Sequence, residues 1–267
     1  STPADAPGPT ADCASSVPSG PPPPAPSPPL PCHRRRRRRW EYSIIVHFQE
    51  EELLLSAQRV LYYPTEKTLV ISDVHLGKAG HFRRYGIPIP TEVNQDNLSR
   101  LSQVIAQFNP ERLLFLGDLF HSETNSEWDD FEQWRRHYSS LSMTLILGNH
   151  ELYSAQKYED LGLQVLPHLD VKNIRFIHDK EAPITHDHGT QSSTHTPVYE
   201  PENEIQQIDP MNSSPITGWI SGHLHPGIKI QGKGRQRIIL PCFVQYTAQL
   251  VLPAFGTFTG LHLITSK

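Results

Sequence analysis

Cysteine is scarce, long apolar runs are absent, and positive charge is thin outside one segment. Cys13, Cys32 and Cys242 are the only cysteines among 267 residues, and no two are spaced as CxxC. That excludes a cysteine-built zinc site and suits a reducing cytoplasm, so any metal must be held by His, Asp, Glu or Asn. No stretch approaches the roughly 20 apolar residues of a membrane-spanning helix. The short apolar run after Trp40 does not match a secretory signal, and a soluble, cytoplasmic protein is expected. The chain has net charge -4; its first forty residues carry Arg34 to Arg39 against Asp5 and Asp12, or +4, which leaves -8 for the remainder. An acidic body argues against non-specific DNA binding through a broad basic face, while local basic patches stay open.

Residues 1–31 hold twelve prolines, and their only bulky apolar residues are Val17 and Leu30. Such a stretch cannot bury enough apolar surface to offset its ordering entropy, so residues 1–40 are expected to be a disordered, partly polyproline-like tail. The six arginines that close it fit an anchor for nucleic acid or a membrane surface, or a solvated leader. The lack of interleaved aromatic or apolar residues favours the leader. Residues 41–267 suffice for one domain with a substantial core.

Within that body, YSIIVHF (42–48) and ELLLSAQRVLYY (52–63) are strand candidates, and KTLVISD (67–73) is a compact apolar run ending in an aspartate. Residues 91–108 place Leu98, Leu101, Ile105 and Phe108 at helical spacing, and Asn109-Pro110 stops them. RLLFLGD (112–118) is another buried strand. Ser126 and Asp129 form a capping pattern for a second helix whose apolar face is Trp128, Phe131, Trp134 and Tyr138, a core stripe by its spacing. SMTLILGNHE (142–151) and VKNIRFIHD (171–179) repeat the theme of an apolar run followed by polar residues. Residues 183–215 read as a long loop. GWISGHLHP (218–226) then leads into GIKI, RQRIILP, FVQY and QLVLP. Helices alternate with strands early and strands follow one another late, which indicates α/β or α+β with a mixed sheet.

Five apolar runs therefore end in potential ligands: Asp73 with His75, Asp118, Asn149 with His150, His178, and His223 with His225. In open α/β sheets ligands gather at strand C-termini. Extended backbone would put residues i and i+2 on one face, so His223 and His225 would lean into the same space. Oxygen donors mixed with imidazoles suit Mn, Fe, Co or Zn better than Ca or Mg alone. Two such ions about 3.5 to 4 Å apart can bind a shared hydroxide and hold the attacking and leaving oxygens of a phosphoryl displacement.

DVHLGK, GDLFHS, GNHE, the later His178 and GHLH resemble, in sequence and order, the calcineurin-like metallophosphoesterase pattern DxH, GD, GNH(D/E), H, GHxH. HLGKAGHFRRYGIPIP (75–90), GDLFHS (117–122), GHLHP (222–226), LPCF (240–243) and VLPAFGTFTG (251–260) further resemble the bacterial ligase-associated DNA damage response endonucleases called PdeM. The resemblance covers about residues 42–262 and leaves the tail outside. It implies a metallophosphoesterase four-layer α/β (α+β) sandwich, with two mixed sheets face to face and helices outside. It implies two divalent transition metal ions, manganese foremost: one on Asp73, His75, Asp118 and His225, the other on Asp118, Asn149, His178 and His223. His150 would then protonate the leaving oxygen or stabilise the transferring phosphoryl group. DNA as substrate, a place in DNA repair, and association with a DNA ligase and a helicase are implied on the same ground.

His178 competes with His168, His186, His188 and His195 for the one-letter fourth motif and is preferred because it alone follows a clear apolar run. Lys78, Arg83 and Arg84 lie close enough behind the first motif to meet phosphate oxygens; a solvated basic turn is the equal alternative, and His81 and His121 are similarly open. Glu151 reads as an orienting residue and Cys242 as a small buried apolar one. Against a DNA phosphodiesterase stands a phosphoesterase for a small nucleotide or phosphorylated metabolite, which the acidic body keeps alive. A non-catalytic scaffold on the same fold is opposed by the full ligand set. Removal of residues 1–40 should leave the melting temperature and phosphodiester hydrolysis almost unchanged, because the tail has no core-forming pattern; a large drop in melting temperature would show that the segment docks.

Overall fold

The computed structural model describes residues 42–78, 93–121, 125–149, 153–180, 215–232, 234, 236–257 and 259–264. Its main sheet has seven strands in sequential order: β1 (Ser43–Phe48), β2 (Glu51–Ser56), β3 (Val60–Tyr63), β4 (Thr68–Ser72), β5 (Arg112–Leu116), β6 (Ser142–Ile146) and β7 (Leu163–Leu166). β1 to β4 pair antiparallel, and β4 to β7 pair parallel. The helices α1 (Val93–Phe108), α2 (Asn125–His137) and α3 (Ala155–Glu159) occupy the crossovers between the parallel strands. A second sheet runs β13-β14-β10-β9-β8, from β8 (Leu169–Val171), β9 (Ile174–Phe176), β10 (Gly218–Ser221), β13 (Val244–Gln245) and β14 (Gln249–Val251). A third, β12-β11-β15, joins β11 (Pro226–Gln231), β12 (Arg237–Pro241) and β15 (His262–Leu263).

Strand periodicity divides the core in two. Alternate residues face opposite ways, so Leu69, Ile71, Leu113, Phe115, Met143 and Leu145 join a cluster with Leu101, Phe108, Phe131 and Trp134 of the helices. Their neighbours Val70, Leu114, Leu116 and Ile146 pack instead against Ile174, Phe176, Ile220 and Leu250 of the second sheet. Covered on both faces, β4 is buried throughout, which is why it reads as a continuous apolar run rather than an alternating one. The architecture is the expected mixed α/β sandwich, and the described helices lie on the outer face of the seven-stranded sheet.

Several local expectations change. ELLLSAQRVLYY is a hairpin, not one strand: Arg59 turns with φ 66°, and its guanidinium donates to the carbonyls of Ala254 and Gly256. VKNIRFIHD likewise contains the turn between β8 and β9, with Lys172 at φ 55°. α2 begins at Asn125, so Ser126 is inside the helix, and its hydroxyl bonds Glu127 rather than opening the helix. Asn109 ends α1 as expected, in the left-handed region at φ 44°. Trp128, Phe131 and Trp134 are buried core residues, whereas Cys242 is only partly buried. The tail and most of the 183–215 loop lie outside the described residues.

Candidate metal centre

Strand register assembles the site. Ser72, Leu116 and Ile146 are paired neighbours across β4, β5 and β6, so Asp73, Asp118 and Asn149 leave the sheet close to one level. On the facing sheet Phe176 pairs with Ile220, and the amide of Gly222 donates to the carbonyl of His178, which brings His178 and His223 to the same edge. The amide of His75 donates to the Asp118 carbonyl and that of Gly256 to the Asp73 carbonyl, each at 3.0 Å, so the ligand loops are tied to one another.

The backbone there is unusual. Asp73, His75, Asp118, His223 and His225 have φ of 51°, 50°, 47°, 64° and 48°, in the left-handed region that costs non-glycine residues about 1–3 kcal/mol each. The expectation that His223 and His225 share a face of extended chain therefore fails. A tight turn from the Leu224 amide to the Gly222 carbonyl, 2.7 Å, parts the two rings instead. A side chain at Gly222 would put its Cβ 1.7 Å from Ser72 Oγ, so only glycine lets this turn approach β4. At Gly117 a Cβ would lie 2.1 Å from His178 Nδ1.

Two donor groups result. Asp73, His75 and His225 each place a donor atom within 4.8 Å of the others, and so do Asp118, His178 and His223. In the first, His225 Nε2 lies 3.0 Å from Asp73 Oδ1 and 3.3 Å from His75 Nε2. Asp118 faces both: its Oδ2 is 3.8 Å from His75 Nε2 and its Oδ1 is 3.4 Å from His178 Nε2. Asp73 Oδ2 is held by the Ser72 hydroxyl and by the amide of His223, which turns Oδ1 inwards. His178 Nδ1 meets the carbonyl of Leu116 at 2.9 Å, fixing the ring so that Nε2 faces the carboxylates.

The donor chemistry fits metal ions. Asp73 Oδ1 and His178 Nε2 are buried without completing a hydrogen bond, although His225 Nε2 stands near the former. Buried lone pairs are normally satisfied, and a cation would satisfy both. Burial, helped by Lys78 and His225, outweighs the two carboxylates at His75 and lowers its pKa to about 3, so the ring is a neutral donor. At His178 burial opposes charge, but Asp118, Asp73 and the Leu116 carbonyl prevail and raise the pKa to about 9. Burial also disfavours the charged form of Asp73, yet His225, His178 and Ser72 hold its pKa below the usual value. Without a cation, the pocket's negative charge is met by an imidazolium.

Of the other expected residues, Lys78 is half-buried, its pKa depressed by burial against the pull of Asp118 and Asp73. Asn149 is exposed and donates from Nδ2 to Asp179 Oδ2 at 3.1 Å. His121 sets its ring edge-on to His75 at 5.3 Å. Among the competing histidines, His168 lies beside Asp170 at the start of β8 rather than in either donor group. His150, Glu151, His81, Arg83, Arg84, His186, His188 and His195 lie outside the described residues. Sequence reasoning missed Asp179, whose Oδ2 also lies 3.8 Å from His223 Nε2; its adjacency to His178 was the available signal.

The model of calcineurin-like phosphoesterases matches residues 66–227. A solved structure of the nuclease MPE from Pseudomonas putida is 26% identical, covering 84% of this chain and 92% of that one with a TM-score of 0.60. None of the curated proteins matches. Among the described residues no helix is long and apolar enough to cross a membrane.

Because Asp179 restrains Asn149 and faces His223, Asp179→Ala should weaken divalent-ion binding at the Asp118–His178–His223 group by about 10- to 100-fold. Titration of the metal-free protein with Mn²⁺ checks this, and unchanged affinity would reduce Asp179 to a surface carboxylate.

Proposed function

The chain belongs to the calcineurin-like phosphoesterase family and is a phosphoric ester hydrolase, and from that premise we propose that it is a two-metal phosphodiesterase cutting DNA in a repair setting. The division of the Asp118 carboxylate, one oxygen towards each donor group, carries the two-ion reading. One ion falls to Asp73, His75, Asp118 and His225, and the other to Asp118, Asn149, His178 and His223. The mixture of imidazole and oxygen donors suits Mn, Fe, Co or Zn, and manganese is put first on the family resemblance. When bound, such ions supply Lewis acidity at a phosphoryl oxygen and ionise water near neutral pH.

The chain's own groups prepare that chemistry. Ser72 and the His223 amide fix Asp73, the Leu116 carbonyl fixes the His178 tautomer, and Asp179 accepts from the Asn149 amide nitrogen, which would leave the amide oxygen to serve as the donor. Lys78 brings an ammonium group towards the same carboxylates, where it would meet a phosphate oxygen, and Arg83 and Arg84 would add to it. His150 would give a proton to the leaving oxygen. DNA as the substrate is supported by the likeness to a nuclease; a small nucleotide or phosphorylated metabolite is the second reading, favoured by the net charge of the body. The repair setting and association with a DNA ligase and a helicase rest on the family resemblance alone.

Purified protein should hydrolyse a chromogenic phosphodiester with Mn²⁺ and lose that activity on chelation, and Asp118→Ala should be the most damaging ligand change because it strips both ions of a donor. Activity surviving exhaustive metal removal, or an Asp118→Ala variant with both ions at full occupancy, would overturn the scheme. His150→Ala should lower kcat by about 10² to 10⁴ with metal content intact. The loss should be smaller for a p-nitrophenolate leaving group, which needs little protonation, than for a DNA alkoxide. Equal losses on both would discard the acid role in favour of electrostatic stabilisation.

A further inference from the structure

The antiparallel β11–β12 ribbon starts at Pro226, the residue after His225, and its root is pinned there: the His262 amide donates to the His225 carbonyl and that of Cys242 to the Pro226 carbonyl. Six residues of strand reach about 20 Å. Register places Ile228 opposite Leu240 and Ile230 opposite Ile238, on one face; Lys229 opposite Ile239 and Gln231 opposite Arg237 share the other. Both faces are open to water, with Ile228, Ile230, Ile238 and Leu240 exposed by 41%, 47%, 53% and 41%. A contiguous exposed aliphatic patch of this kind marks an interaction surface.

Charge identifies the partner. From Gly218 to Lys267 the chain has no Asp or Glu, while Lys229, Lys233, Arg235 and Arg237 all fall on the ribbon or in the segment joining its strands, in a protein of net charge -4. Lys233 and Arg235 lie outside the described residues; Lys229 and Arg237 are exposed on the ribbon. We infer that the β11–β12 ribbon is a docking arm for an unpaired nucleic-acid strand, leading it to the metal centre at His225; this rests on the nuclease reading above. A single strand crossing the edge at β12 offers phosphates to Lys229 and Arg237 on one face and uncovered base faces to the aliphatic side chains on the other. A duplex keeps its base faces stacked inside and would leave the isoleucines unmatched. A second copy of the chain pairing along the edge strand β12 would leave Lys229 and Arg237 without a carboxylate of this region to meet them.

The test uses the full-length chain in chelator, with fluorescence anisotropy of a labelled oligothymidylate and of a blunt duplex. Lys229→Gln with Arg237→Gln should weaken single-strand binding about tenfold and reduce its salt dependence. Ile230→Ser with Ile238→Ser should weaken single-strand binding to a similar extent and leave duplex binding unchanged. Both double variants should keep the wild-type melting temperature and hydrolysis of a chromogenic phosphodiester. Unchanged single-strand affinity in either variant overturns the arm, as does equal weakening on the duplex for the isoleucine pair. A wild-type dimer in sedimentation that the isoleucine changes convert to monomer would assign the ribbon to a second copy instead. If the wild type hydrolyses no phosphodiester with Mn²⁺ while the variants still lose single-strand affinity, the hydrolase scheme fails and the arm stands.

Discussion

Two carboxylates buried at the ends of adjacent parallel strands set the terms for everything around them. Asp73 and Asp118 are sealed from water, where an ionised carboxylate without a partner is strongly disfavoured. The surrounding groups answer that demand: His178 is drawn towards the charged state, the half-buried Lys78 lies within electrostatic reach of both carboxylates, and Ser72 and the His223 amide take one oxygen of Asp73. What remains uncompensated is directed to the space between His75, His178 and His225, and a cation there completes the balance. The site's fitness for a cation is in this sense a consequence of where β4 and β5 stop.

The same strand ends carry the strain. Five of the seven candidate ligands adopt left-handed backbone, and together these positions cost several kcal/mol on a scale of about 1–3 each. Backbone hydrogen bonds between His75 and Asp118, and between Gly256 and Asp73, hold that conformation at Asp73, His75 and Asp118. Two apolar cores, one on each face of the seven-stranded sheet, supply the stability against which such strain can be held. The benefit is a donor set positioned before any ion arrives.

Legibility followed burial. Asp73 and Asp118 could be picked out because β4 and β5 read as nearly continuous apolar runs that stop at a polar residue, and His178 because it follows the alternating Ile174, Phe176 of β9 and Ile177. The hairpin between β2 and β3 was hidden because Ala57, Gln58 and Arg59 contain no glycine or proline; Arg59 turns only with its guanidinium anchored on the distant Ala254 and Gly256 carbonyls. The parting of His223 and His225 was hidden for a similar reason, since Ser72 and Asp73, far away in sequence, shape that turn. Asp179 meets Asn149 thirty residues away, a relation no local pattern carries. β15 pairs through only two residues, too few to leave a periodic signal.

Exposure of the ligand side chains falls into an order that bears on substrate size. His75 and His178 are sealed at 3% and 1%, while His225 and His223 are open at 18% and 38%. His75 and His178 therefore lie on the closed side of the centre, and the GHLH turn, where β11 departs, lies on an open side of it. A substrate entering from that side passes a segment without acidic residues, although the body as a whole is acidic. A small phosphoester needs only the donor groups and has no use for a cationic, aliphatic ribbon extending beyond them. A polymer of phosphates and bases would match both the approach and the ribbon's two faces, so the proposed nucleic-acid substrate rests on local charge rather than on net charge.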